Sequence, residues 1–153
     1  MTRIRPATPA DTADLVRMGL QFIAESGYRG LLTPNPDAQA ACIAVLLEQG
    51  GCWVVVAGDD GIVETVGMLG IALTPLPVSG ELAGVELMWW LDPQWRRGTL
   101  GVRLLQVGEA WACAQGAIWL QMIQPVGAER LGAFYRRRGF APIEMTWQKR
   151  LAA

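Results

Sequence analysis

No histidine occurs in the 153 residues of this chain. That absence removes Ser-His-Asp and Cys-His nucleophilic machinery and most zinc sites. Proton transfer must fall to Glu, Asp, Tyr, Lys, Cys or water. Cysteine is scarce as well. Cys42, Cys52 and Cys113 are odd in number and far apart, and no pair has metal-ligand spacing. All three read as buried thiols, and no metal is expected. No apolar run reaches the roughly 18 residues of a membrane span. The start, Met1-Thr2-Arg3-Ile4-Arg5-Pro6, lacks the apolar stretch of a signal peptide. The expected compartment is the cytoplasm, with no membrane partner. Positive charge is not in excess either. The formal net charge is −1, so there is no basic field for nucleic acid.

Apolar residues make up 52% of the chain, which argues against disorder. The length suits one domain, residues 1–153, with a real core. Positive charge is local. Arg96, Arg97 and Arg103 gather around one loop. Arg136, Arg137 and Arg138 end a later helix, where a solvated cationic end is favoured.

The run Trp89-Trp90-Leu91-Asp92-Pro93-Gln94-Trp95-Arg96-Arg97-Gly98-Thr99-Leu100-Gly101-Val102-Arg103-Leu104-Leu105 is the densest in information. An apolar strand stops at Asp-Pro, a loop with arginines and small residues follows, and an amphipathic helix opens. The first turn of a helix has N–H groups without intrahelical partners, at the positive end of the macrodipole. Such a loop offers a cradle for a phosphate or pyrophosphate. The preceding strand carries one acid, Glu86.

The remaining elements follow from turn and cap residues. Ile4 marks a short edge strand. Thr8-Pro9-Ala10-Asp11 reads as a capped helix start, with Leu15, Met18 and Phe22 on one face. Gly27-Tyr28-Arg29-Gly30 breaks that helix, and a second runs from Asn35-Pro36-Asp37 to Gly50-Gly51. Cys52 to Ala57 is continuously apolar and predicts a central strand. A turn at Gly58-Asp59-Asp60-Gly61 returns the chain as a strand from Ile62 to Leu73. Thr74 to Gly80 is too rich in proline for a strand interior. Leu82 to Leu91 is the next strand. After the helix that ends at Gly116, Ala117 to Ile123 makes a parallel pair with it through a right-handed crossover. A loop, a short helix bearing Leu131, Phe134 and Tyr135 with Gly139 at its end, and a strand from Phe140 to Leu151 close the chain.

From about Arg3 to Leu151, this order resembles the GNAT N-acetyltransferase superfamily. The stretch Pro93 to Leu105 lies where that family has its acyl-CoA pyrophosphate loop, Arg/Gln-x-x-Gly-x-Gly/Ala. Phe134-Tyr135-Arg136-Arg137-Arg138-Gly139-Phe140 matches the family's ending, aromatic-Tyr-x-x-x-Gly-Phe. There are departures. Counting from Arg96, the family's central glycine falls on Thr99, with a glycine moved to Gly98; the final small residue is Gly101. The asparagine often found seven residues before the tyrosine is Ala128, and the alanine often found four before it is Leu131. The fold class implied is α/β: a central mixed, mostly antiparallel sheet flanked by helices, with a parallel strand pair splayed at the acyl-CoA site.

The resemblance implies transfer of an acetyl group from acetyl-CoA to a primary amine of a small molecule or protein, without a protein nucleophile. Glu86 is the expected base, its pKa raised by apolar neighbours; Glu81 and Asp92 are weaker candidates, Asp92 being better suited to shaping the turn. Tyr135 is the expected general acid toward the CoA sulfur. Arg96, Arg97, Gly98, Thr99, Leu100 and Gly101 are the expected pyrophosphate binders, mostly through backbone N–H groups. The Thr99 hydroxyl is suited to cap the helix or to donate to a phosphate oxygen. The backbone of Met88, Trp89 and Trp90 is expected to border the pantetheine arm. Each tryptophan read alone packs better as core. The acceptor is expected near Tyr28-Arg29-Gly30 and the loop Thr74 to Gly80. A homodimer or a subunit role stays open. So does a second function, a GNAT-fold binding or assembly module without turnover in a larger complex.

Overall fold

The run from Cys52 to Ala57 is a strand buried on both faces, as its unbroken apolar character predicts. It belongs to β2 (Cys52–Asp59) in a computed structural model that describes residues 1–59 and 62–151. Alternation along β2 divides the core. Cys52, Val54 and Val56 join a cluster with Leu15, Met18, Ile43 and Leu46 from the first two helices. Trp53, Val55 and Ala57 join the opposite cluster with Leu100 and Leu104 from the third. A fully buried leucine or valine contributes roughly 1.5–3 kcal/mol, so these two layers hold the sheet between the helices.

The sheet contains β1 (Thr2–Pro6), β2, β3 (Ile62–Pro75), β4 (Leu82–Leu91) and β5 (Trp119–Gln121) in spatial order β1-β2-β3-β4-β5. The first three pairings are antiparallel and β4 with β5 is parallel. The helices are α1 (Thr12–Glu25), α2 (Pro36–Gln49), α3 (Leu100–Ala114) and α4 (Glu129–Arg137). Asn35 caps α2 by accepting from the Ala38 N–H at 3.1 Å, and Gly50 ends it in the left-handed region at φ 73°. Contacts divide the chain into two units, Met1–Ile123 and Gln124–Ala153. The first carries the sheet with α1 to α3, the second α4 and the C-terminal segment.

Several expectations need correction. The capped start at Thr8-Pro9-Ala10-Asp11 is present, with Thr8 as N-cap and Asp11 reaching back to it, but its first turn, Pro9–Asp11, is 3-10, and α1 itself begins at Thr12. The Asp11 carboxylate is saturated by local donors: it accepts the Thr8 N–H at 2.8 Å, the Thr8 hydroxyl at 2.9 Å and two Arg5 N–H groups at 2.7 and 2.8 Å. Thr74 and Pro75 belong to β3, proline being tolerated as its last residue, opposite Leu82. Gly58 and Asp59 pair within β2, and the rest of the expected turn, Asp60-Gly61, lies outside the described residues. β5 is only three residues long, shorter than Ala117 to Ile123. Cys113 is exposed, on the side of α3 away from the buried Leu104, Leu105 and Ala112, and Cys42 is half-buried; only Cys52 is a buried thiol.

The expected strand from Phe140 to Leu151 is absent; residues 140–151 carry no regular element. Ile143, Met145 and Trp147 alternate as a strand would, yet Trp147 is 87% exposed. Alternation makes a strand only when a neighbouring backbone completes the ladder, and none of the described pairings involves this segment.

Candidate active site

The expected base sits where the sheet changes character. The β4–β5 ladder pairs Ala83 with Trp119, Gly84 with Leu120 and Val85 with Gln121, and goes no further. β4 continues to Leu91 against β3 alone. Its edge from Glu86 onward therefore has no strand partner on the β5 side among the described residues. On the β3 side, Gly70 lies opposite Met88 and Ile71 opposite Glu86, so Leu87 is an extra, unpaired residue. Such a bulge bends a strand and increases its twist. It falls just beyond the last β4–β5 pair, where the two strands part.

The bulge also sets which way Glu86 faces. Residues paired across a ladder share a face. Ile71 belongs to the α3-side cluster, and Met88 packs on the α1–α2 side with Trp90. Strict alternation would put Glu86 with Met88 and Trp90; the extra residue puts it with Ile71 and Trp89. There Glu86 is 7% exposed. Its Oε2 accepts the Ile123 backbone N–H at 2.9 Å, across the opening between the strands. Burial pushes its carboxyl up to about 7, and the Ile123 N–H pulls part of the way back. The two weaker acids are otherwise engaged. Glu81 accepts from the Ser79 hydroxyl and the Trp119 indole N–H, at 3.1 and 3.2 Å. Asp92 accepts the Gln94 N–H at 3.1 Å and shapes the turn, as expected.

The loop after β4 makes one 3-10 turn, Pro93–Trp95, before α3 opens at Leu100. Gly98 has φ 97°, a conformation a side chain would strain, and Thr99 sits at an ordinary φ of −101°. The moved glycine thus matches the backbone. The Thr99 hydroxyl makes no capping hydrogen bond, so the first-turn amides of α3 have no side-chain cap. Arg97, Gly98 and Thr99 are exposed, Gly101 is half-exposed and Leu100 is buried beneath them. A β-carbon at Gly101 would stand 3.5 Å from Leu91 and 3.7 Å from Trp89, ordinary contact. The loop therefore presents uncapped amides and small residues beside exposed Arg97 and Arg103, the composition an anion site requires.

Arg96 is placed differently from its neighbours. Its Nε–H donates to the Leu91 carbonyl at 2.8 Å, and a terminal N–H donates to Glu25, the last residue of α1. Its guanidinium carbon lies 5.6 Å from the centre of the Trp90 ring. Trp90 is core and Trp89 is half-buried on the opposite face, because adjacent residues of a strand point to opposite sides of the sheet.

Tyr135 lies in the second unit. It is 6% exposed, and its ring is flanked by Phe134 at 5.9 Å and Phe140 at 5.5 Å. Gly139, with φ 88°, lets the chain turn back after α4 so that the Phe140 N–H reaches the Tyr135 carbonyl at 3.0 Å. This return explains the spacing from the tyrosine to Gly-Phe. Arg136, Arg137 and Arg138 are exposed, as expected of a solvated helix end.

Sequence reasoning missed the Ile123 amide, the bulge at Leu87 and Glu25. An alternating pattern carries no mark of an extra residue, and Glu25 is 71 positions from its arginine. Among the described residues no helix is long and apolar enough to cross a membrane, and no group of His, Cys, Asp and Glu has the arrangement of a metal site.

The chain is 30% identical to aminoglycoside N(6')-acetyltransferase type 1 of Stenotrophomonas maltophilia, over 92% of this chain and 87% of that protein. A predicted acetyltransferase from Clostridium acetobutylicum, solved with acetyl-CoA, superposes with a TM-score of 0.77 at 14% identity, covering 99% of this chain and 97% of that one. Glucosamine-6-phosphate N-acetyltransferase from Arabidopsis thaliana gives 0.73 at 13% identity, over 99% of each. The model of the acetyltransferase (GNAT) family matches residues 20–140, and the chain belongs to that family.

Proposed function

We propose that this protein moves an acetyl group from acetyl-CoA directly to a primary amine, with Glu86 as base and Tyr135 as acid. One observation carries the reading. Glu86 is a buried carboxyl, pushed up to about 7, at the end of a parallel ladder whose strand leads into an uncapped helix N-terminus. A carboxyl with that pKa is poised to accept and release protons at neutral pH.

Acetyl-CoA supplies an acetyl group activated as a thioester. The α3 amides from Leu100 and Gly101, with Gly98, Thr99 and Arg97, fit its pyrophosphate. The stretch Met88, Trp89 and Trp90, beyond the last β4–β5 pair, is suited to border an extended amide-bearing arm with its backbone. Glu86, as carboxylate, takes one proton from the acceptor ammonium and leaves the nitrogen lone pair free to attack. The nitrogen attacks the thioester carbonyl carbon and forms the C–N bond; as the C–S bond breaks, the Tyr135 hydroxyl gives its proton to the departing sulfur, and the acylated nitrogen sheds its second proton through water, which restores the tyrosine hydroxyl. The aminoglycoside-modifying relative makes a small-molecule amine the first acceptor class to test.

The test has two parts. Calorimetry with acetyl-CoA should give binding at micromolar concentration. An amine panel including aminoglycosides, simple primary amines and a lysine peptide should give CoA release above the amine-free rate with at least one member. Binding without release from any amine would support the module reading instead. No binding at millimolar acetyl-CoA would overturn both the cofactor and the reaction.

A further inference from the structure

We propose that Arg96 is a positioning residue, which with Glu25 ties the end of α1 to the cofactor loop instead of holding phosphate. The inference rests on the acetyl-CoA reading above.

Two hydrogen bonds and a ring contact converge on the guanidinium. Nε–H is committed to the Leu91 carbonyl at 2.8 Å, the last residue of β4, and a terminal nitrogen to Glu25 Oε2. The guanidinium rests over the Trp90 ring, a contact that favours cations. The Trp90 indole N–H donates to the same Glu25 oxygen at 3.4 Å. Glu25, Trp90 and Arg96 thus form a closed triangle. A guanidinium is a planar, rigid fork, so committing two of its nitrogens to these acceptors fixes its direction. Arg97 and Arg103 have no ion pair among the described residues, which leaves them for the anion.

The triangle joins two regions with different tasks. Arg96 begins the loop that the reading assigns to pyrophosphate. Glu25 ends α1, and the segment 26–35 that follows contains Tyr28, Arg29 and Gly30, on the expected acceptor side. Ordering the loop around bound acetyl-CoA should therefore steady the start of that segment through the Arg96–Glu25 pair. The coupling should be modest, because both side chains are partly exposed.

Hydrogen exchange with and without acetyl-CoA tests this without knowing the acceptor. In the native protein, acetyl-CoA should slow exchange of amides in residues 26–35 severalfold. Glu25→Ala should abolish that slowing and weaken acetyl-CoA binding about three- to tenfold. Arg96→Ala should do the same, with the salt dependence of binding unchanged. Glu25→Gln, which keeps an acceptor oxygen, should fall between. Native protein that binds acetyl-CoA without slowed exchange at 26–35 would overturn the inference. So would Glu25→Ala binding as tightly as the native chain or tighter, since Arg96 would then be a phosphate ligand released from a competitor. Failure of the native protein to bind acetyl-CoA would instead remove the functional reading beneath it.

Discussion

Replacing Glu86 by glutamine separates its chemistry from its place in the sheet. Glutamine has nearly the same shape, and its amide oxygen can still accept the Ile123 N–H that Glu86 accepts at 2.9 Å. It cannot ionise. The carboxyl rises from an ordinary 4.5 to about 7 in the folded protein. The folded state then keeps its proton where the unfolded chain has lost it. The stability this supplies is whole below pH 4.5, falls by about 1.4 kcal/mol per pH unit up to about pH 7, and is flat above. The total is about 3 kcal/mol. Glutamine lacks this fall. Urea unfolding at pH 4, 6 and 8 should show Glu86→Gln gaining on the native protein by about 3 kcal/mol across that range. The same variant should lose the rising limb of kcat/KM centred near pH 7, and slow transfer at neutral pH by about 10²-fold. A stability difference constant with pH would refute the buried, raised carboxyl. A limb that persists in the variant would assign the ionisation to the amine.

Further outcomes follow from other sites. Tyr135→Phe keeps the ring in its tilted contacts with Phe134 and Phe140 and should lower kcat by about 10²-fold with acetyl-CoA binding unchanged; full activity would return Tyr135 to a packing role. Gly101→Glu has room for its β-carbon yet sets a negative charge among the α3 amides, so calorimetry should find acetyl-CoA affinity down at least tenfold, by order of magnitude, with the thermal midpoint little changed. At Asp11 the sign is opposite to Glu86. The Arg5 hydrogen bonds hold its carboxyl down at about 2, so its stabilisation is whole above the ordinary carboxylate pKa and is lost as pH falls toward 2. Asp11→Asn should be less stable by about 2 kcal/mol at pH 7, and the gap should close by pH 2 in chemical denaturation.

Local signals in the sequence translated well. Asn35-Pro36 opens α2 and Gly50 ends it because capping and left-handed backbone are properties of single residues. The doubly buried β2 follows from its composition, and a desolvated Glu86 from its neighbours. The parallel pair follows from a strand-helix-strand order whose crossover has a preferred hand. Relations between distant segments did not translate. Nothing near Arg96 names Glu25 as its acceptor, and nothing in Val85-Glu86-Leu87-Met88 marks Leu87 as unpaired. The C-terminal alternation predicted a strand because periodicity describes one chain segment, whereas a ladder needs two.

Leu87 is 46% exposed and performs no chemistry, yet it carries a structural tension of its own. Removing it by deletion would leave Ile71 opposite Glu86 and Gly70 opposite Met88, with every neighbouring side chain on its present face. The strand would simply become regular, and β4 would be free to run on beside the chain after Gln121. Such a protein should fold at least as well, with the separation between the strands healed and the proposed base and acid, Glu86 and Tyr135, both still present. Stability and activity would then pull in opposite directions on a single residue, the usual situation where function needs an irregularity that packing alone would smooth away. Selection for a sturdier sheet would discard Leu87, and only selection for access to the interior would keep it.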